Sequence, residues 1–180
     1  MNTKKYMLKS LAMGMALVAA LGVAAVAPGQ MAQAASKKSA VATQEIGYTD
    51  AVKAAQKKAS GTVVEIDWDR GDGRYEIEIV DQKGALHKID IDTEDGSLLR
   101  HTTRKLSKTK ARRFREVKVG YDKAIQAAMK ATGAKTLLSC ELDYDDGSLA
   151  FDIELADSMG KYEVQVSADT GKVLYQEYDD

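Results

Sequence analysis

The chain repeats itself at long range. Tyr48-Thr49-Asp50-Ala51-Val52-Lys53-Ala54-Ala55 returns as Tyr121-Asp122-Lys123-Ala124-Ile125-Gln126-Ala127-Ala128. Tyr75-Glu76-Ile77-Glu78-Ile79 returns as Phe151-Asp152-Ile153-Glu154-Leu155, and Asp95-Gly96-Ser97-Leu98-Leu99 as Thr170-Gly171-Lys172-Val173-Leu174. An offset of about seventy residues is too long for a solenoid unit and suits two copies of a small domain. Both copies must therefore accept the same arrangement of elements.

Each copy opens with a helix. Thr49 and Asp122 occupy equivalent places and are expected N-caps, since their oxygens can accept from free first-turn amides. Val52, Ala55 and Ala59 then share one helical face, as do Ile125, Ala128, Met129 and Thr132. Ser60-Gly61 and Gly133 are the expected stops. Alternating runs follow. Val64, Ile66 and Trp68 point one way and Glu65, Asp67 and Asp69 the other, a phase repeated by Leu138, Cys140, Leu142 and Tyr144. Tyr75, Ile77 and Ile79 match Phe151, Ile153 and Leu155, while His87, Ile89 and Ile91 match Tyr162, Val164 and Val166. Gly-containing polar joints at 70–73, 82–84 and 145–147 are hairpin signals. A final short strand, such as Val173-Leu174-Tyr175, completes an α+β unit with one dry and one wet sheet face.

Ahead of the repeats, Lys4, Lys5 and Lys9 precede an apolar run from Leu11 to Ala27, broken by Pro28-Gly29. Ala32-Gln33-Ala34 then offers the small residues of a cleavage site, so residues 1–34 read as a secretory signal peptide. A retained membrane anchor is the competing reading, because the run approaches a span of about 17 residues. No Cys stands directly after the run, so a lipobox anchor is not expected. Removing the leader takes away three Lys and moves the net charge from −1 to about −4. Residues 35–44 form a small, polar leader expected to be disordered. From Arg100 to Lys118 nine basic residues stand against Glu116 alone. Cys140 is the single cysteine, so an internal disulfide is impossible and stability must come from packing.

The Ala-rich helix opening, the glycine that ends it, the Tyr162-Glu163-Val164-Gln165-Val166 strand and the closing Asp169-Thr170-Gly171-Lys172-Val173-Leu174 resemble the PepSY family. The family takes its name from propeptides of secreted peptidases and a spore-envelope protein. The closing turn is echoed by Asp92-Thr93-Glu94-Asp95-Gly96-Ser97-Leu98-Leu99. The first copy departs at His87, where an aromatic is expected, and by one extra residue in its last turn. The resemblance implies a helix packed on an antiparallel sheet of three to four strands in each copy, an extracytoplasmic location and a role in restraining peptidases. It transfers no catalytic residues. The expected layout is a signal peptide at 1–34, a disordered leader at 35–44, a first domain at 45–100, a basic linker at 101–118 and a second domain at 119–180.

Nothing in the sequence points to a reaction. His87 and His101 are the only histidines, and neither sits in a motif with a Cys or Ser. Cys140 falls on the inward phase of its strand, aligned with Ile66, where a small apolar residue is at home. There is no HExxH and no Walker loop, so no enzyme and no cofactor is expected. Asp67, Asp69 and Asp72, and Asp143, Asp145 and Asp146, cluster at turns and offer hard oxygens for calcium. The sixth loop position holds Asp72 in place of Gly and the flanks are strands, so no EF-hand is written; Asp and Gly also suit turns in their own right. The basic block is the sharper contact candidate. Arg104, Lys105, Lys108, Lys110, Arg112, Arg113 and Arg115 can meet anionic wall polymers or lipid head groups. Alternatively the block lies against the acidic faces of its own domains or is simply solvated. Nucleic acid is not an expected partner. Three functions stand at this point: a secreted, non-enzymatic module that binds an exported peptidase, an envelope adaptor held by the basic block, and an extracytoplasmic cation-binding protein.

Overall fold

Eight strands drawn from both copies hydrogen-bond into one antiparallel sheet. The computed structural model describes residues 45–145 and 147–179, without the side chain of Asp145. The expected signal peptide and leader lie outside these residues. The first copy supplies α1 (Tyr48–Gln56), β1 (Thr62–Asp69), β2 (Arg74–Val80), β3 (Ala85–Asp92) and β4 (Leu98–Lys105). After α2 (Lys108–Arg115), the second supplies α3 (Tyr121–Thr132), β5 (Thr136–Asp145), β6 (Ser148–Ala156), β7 (Lys161–Ser167) and β8 (Val173–Asp179). The strand order is β4-β3-β2-β1-β5-β6-β7-β8, so each copy is a four-stranded meander and the two meet at β1 and β5.

That meeting is short and symmetric. Its pairs are Glu65↔Glu141, Ile66↔Cys140 and Asp67↔Ser139. Ile66 and Cys140 are repeat equivalents, and Glu65 and Asp67 correspond to Ser139 and Glu141. Each copy thus offers the other the same surface, as a two-fold interface requires. Directly paired residues share a sheet face. One row therefore runs Ile89–Ile77–Ile66–Cys140–Ile153–Val164 across six strands, each residue at most 2% exposed. This is the dry face. Ala51, Val52 and Ala55 of α1 and Ala124, Ile125 and Ala128 of α3 are buried against it, their small side chains letting the helices lie close.

The repeat extends to irregularities. Each copy's first strand carries a bulge, between Val63 and Glu65 and between Leu137 and Ser139. Each copy's last strand carries another, at Leu99 and at Leu174. The first pair of bulges shifts the alternation read from sequence, so Val63 is buried as well as Val64, and Leu137 is more buried than Leu138. The last strands are longer than the short strand expected.

Two local expectations are corrected. The helices begin one residue before the expected caps, at Tyr48 and Tyr121, with Gly47 and Gly120 as N-caps and no side-chain cap bond. Thr49 sits inside the first turn, and Asp122 acts there as an acid near the positive helix end. Gly133 does end α3 in the left-handed conformation, at φ 81°, with its N–H donating to Met129 O at 2.9 Å. The segment 101–118 is more than a linker, since 101–105 complete β4 and Lys108–Arg115 form a helix. Ser107 caps that helix by accepting from Lys110 N, and Ala111 and Phe114 are buried beneath it.

Candidate protein-binding surface

The wet face follows from the same registers. Residues between those of the apolar row form the line Lys88–Glu78–Glu65–Glu141–Asp152, with four carboxylates in consecutive strands. A second line runs Arg100–Asp90–Glu76–Asp67–Ser139–Glu154–Glu163–Glu177. Like charges placed directly opposite oppose strand pairing. Protons relieve part of that cost. Burial, then Glu78 and Glu141, pushes Glu65 up to about 7. Burial, followed by neighbouring carboxylates, also raises Asp67, Glu141 and Glu163. Glu76 goes the other way: burial works against its charge, but Lys88 and Arg74 outweigh it.

The basic block lies partly on this acidity. Arg104 and Lys110, with Phe114 of α2, border a cleft of about 30 Å³ whose floor includes Glu65, Glu78 and Glu141. A cleft of this size is far below the several hundred Å³ of an organic ligand site. Lys110 Nζ lies 5.1 Å from the Phe114 ring centre, and Arg113 stacks 3.7 Å above the Tyr144 ring. Arg112 is 3.6 Å from Glu116, and Arg115 donates to Gln82 O at 2.6 Å. Flanking them, Arg100 donates to Asp90 at 2.8 Å and Lys118 pairs with Asp169 at 2.5 Å. Lys105 closes β4 and Lys108 opens α2, both exposed. The seven residues singled out from sequence therefore occupy an edge strand and a helix without converging on one point.

Asp69, Asp72 and Asp143 of the acidic turns have local partners, while Asp146 and the side chain of Asp145 lie outside the described residues. Asp69 accepts from Asp72 N at 3.1 Å and from Arg74 at 2.9 Å, and Asp72 pairs with Arg74 at 2.7 Å. Asp143 accepts from Tyr144 N at 2.7 Å. Among the described residues no group of three or more His, Cys, Asp or Glu side chains is placed to hold a metal ion. Cys140 is buried, and burial raises its thiol far above the ordinary range, away from thiolate chemistry. No helix among the described residues is long and apolar enough to cross a membrane.

The two sheet edges are the remaining surface. Every residue of β4 and of β8 is exposed. An edge strand presents a row of unpaired backbone groups, which makes it a template for an added strand. Leu98 and Leu99 begin one edge at 40% and 51% exposure, and Val173 and Leu174 begin the other at 38% and 57%. Their charges are opposite. β4 carries Arg100, Arg104 and Lys105, while β8 carries Glu177 and Asp179. Sequence reading found the apolar pairs as parts of the closing motif, but only the strand order shows that both lie at free edges.

Comparison with known proteins places the fold. The family model described as peptidase propeptide and YPEB domain matches residues 45–102 and 118–177. The uncharacterized protein YkoJ of Bacillus subtilis (strain 168) is 31% identical over 151 residues, covering 82% of this chain and 81% of that protein. Among solved structures, one from Clostridium difficile 630 is 23% identical, with a TM-score of 0.47 over 75% of this chain and 94% of that one. The YpeB C-terminal domain of Bacillus megaterium is 19% identical, with a TM-score of 0.30 over 76% of this chain and 67% of that one.

Proposed function

The chain belongs to the PepSY family as a tandem of two domains, and from that premise we propose that it is an exported, non-catalytic protein that binds and restrains a peptidase outside the cytoplasm. The observation that carries the reading is the pair of edge strands in which every residue is exposed, each headed by two exposed apolar residues. A peptidase cleft is built to hold extended chain, and an edge strand holds extended chain by main-chain hydrogen bonds, with alternate side chains adding selectivity. Such binding needs backbone and a few apolar anchors.

The test is residual peptidase activity in the host's culture fluid, titrated with the purified protein. The reading expects saturable, stoichiometric loss of activity. Leu99→Glu and Leu174→Glu, both at exposed positions, should each raise the half-inhibiting concentration by about tenfold if that edge is used, since roughly 1.4 kcal/mol corresponds to that factor. Raising salt should leave inhibition largely intact. No loss of activity, with no peptidase retained on the immobilised protein, overturns the reading. Retention on anionic wall polymer that disappears with salt and on neutralising Arg112, Arg113 and Arg115 would favour the envelope adaptor in its place.

A further inference from the structure

The chain has two histidines, fourteen positions apart, and the fold brings their rings together. His87 on β3 pairs with Thr103, and His101 on β4 pairs with Ile89, so the two histidines are diagonal neighbours on one sheet face. His87 Nδ1 lies 3.0 Å from His101 Nε2, and the ring centres are 5.3 Å apart. Behind His87, its Nε2 faces Asp81 Oδ2 at 3.4 Å. Asp81 is itself fixed, its Oδ1 accepting from Lys83 N and Ala85 N at 2.8 Å each.

The Asp81 oxygen facing Nε2 favours the His87 tautomer with its proton on that nitrogen. That leaves a lone pair on Nδ1, directed at the second imidazole. This is the carboxylate–histidine arrangement that orients metal-ligating rings. From this geometry we propose that His87 Nδ1 and His101 Nε2 form a two-imidazole site for a divalent late transition metal ion, with Asp81 as the positioning carboxylate.

The separation selects among metals. With metal–nitrogen bonds of about 2.0–2.1 Å, nitrogens 3.0 Å apart subtend roughly 95° at the ion. That is the cis angle of a tetragonal site and narrower than a tetrahedral one, so Cu²⁺ and Ni²⁺ fit better than Zn²⁺. Without metal, one proton is shared between the two facing nitrogens, and Thr103 Oγ1, 3.3 Å from His87 Nδ1, is the other group at hand. The ion takes the lone pairs of both facing nitrogens, and that proton moves to His101 Nδ1, so both rings ligate as neutral imidazoles. Two imidazoles leave the remaining coordination positions to water or to a further ligand. His101 is exposed, so the ion has a path in.

The full chain is titrated with Ni²⁺ by calorimetry and with Cu²⁺ by electron paramagnetic resonance. One equivalent should bind, and the Cu²⁺ spectrum should show coupling to two imidazole nitrogens. His101→Ala, a substitution at an exposed position, should weaken Ni²⁺ binding at least tenfold and reduce the coupling to a single nitrogen. Asp81→Asn should weaken binding by about tenfold while keeping both nitrogens, as loss of an outer-shell partner does. Ni²⁺ should raise the melting temperature of the native chain and leave that of His101→Ala unmoved. Absence of binding overturns the proposal. So does binding that is equal in His101→Ala, which would place the ion on carboxylates or the terminal amine.

Discussion

At the scale of single residues, Glu65 is where charge and burial conflict most directly. Its carboxyl rises from the ordinary 4.5 to about 7 because it is part-buried beside Glu78 and Glu141. The sign of the consequence follows by linkage. A carboxyl whose pKa is higher folded than unfolded binds a proton more tightly in the native state. The stability this gives is complete below about 4.5 and is lost as pH rises through about 7. Asp67, Glu141 and Glu163 shift in the same direction and add to the slope. Urea unfolding at pH 5 and pH 8 should therefore show the chain more stable at the lower pH. Glu65→Gln should flatten that difference and gain about 1 kcal/mol at pH 8, a figure reduced for solvent screening at a part-exposed group. An unchanged slope in the variant would remove Glu65 as its source.

At the scale of elements, the dry face was legible in the sequence and α2 was not, for related reasons. Period-two alternation states which residues of a strand turn inward, and Ile66, Ile77, Ile89, Ile153 and Val164 all do so. Bulges are invisible to that reading, because one inserted residue shifts the phase without changing composition, as at Val63–Val64. In α2 five of eight residues are basic, so charge masked the spacing of Ala111 and Phe114, three apart on one helical face. Phe114 is 4% exposed and anchors the helix against the sheet. Phe114→Ala should cost about 3 kcal/mol, as truncation of a buried aromatic does. Gly84 works from the opposite side. Its φ is +80°, and a Cβ there would stand 2.9 Å from Ala111 Cβ. Gly84→Ala should thus cost about 1–2 kcal/mol through backbone strain and displacement of α2. Chemical denaturation of the two variants checks both values, and a cost below 0.5 kcal/mol for Phe114→Ala would mean that α2 adds little to the fold.

At the scale of the molecule, the question is whether two domains make one protein. Repeat spacing revealed two copies, but their junction carries no turn, motif or charge signal. It consists of three residue pairs, and a register is not written in either strand alone. Domains of about 60 residues bury only some 60% of their chain surface and are marginal by themselves. Here the apolar row crosses the junction without a break, since Ile66 meets Cys140 directly and both are 1% exposed. Separating the copies would expose both residues and leave two further free edges, so unfolding one copy should destabilise the other. The chain carries its own probes for this. Trp68 is the single tryptophan and lies in the first copy, while Cys140 is the single cysteine and lies in the second. Tryptophan fluorescence and thiol labelling, followed through the same urea series, should give one coincident transition. In the absence of urea the thiol should resist labelling, because it is buried and held protonated. Ile66→Ala should move both midpoints together, since its lost volume faces both copies, at a cost of about 2–4 kcal/mol. Two separated transitions, with only the tryptophan midpoint moved by Ile66→Ala, would mean that the sheet is continuous in hydrogen bonds but not in energy.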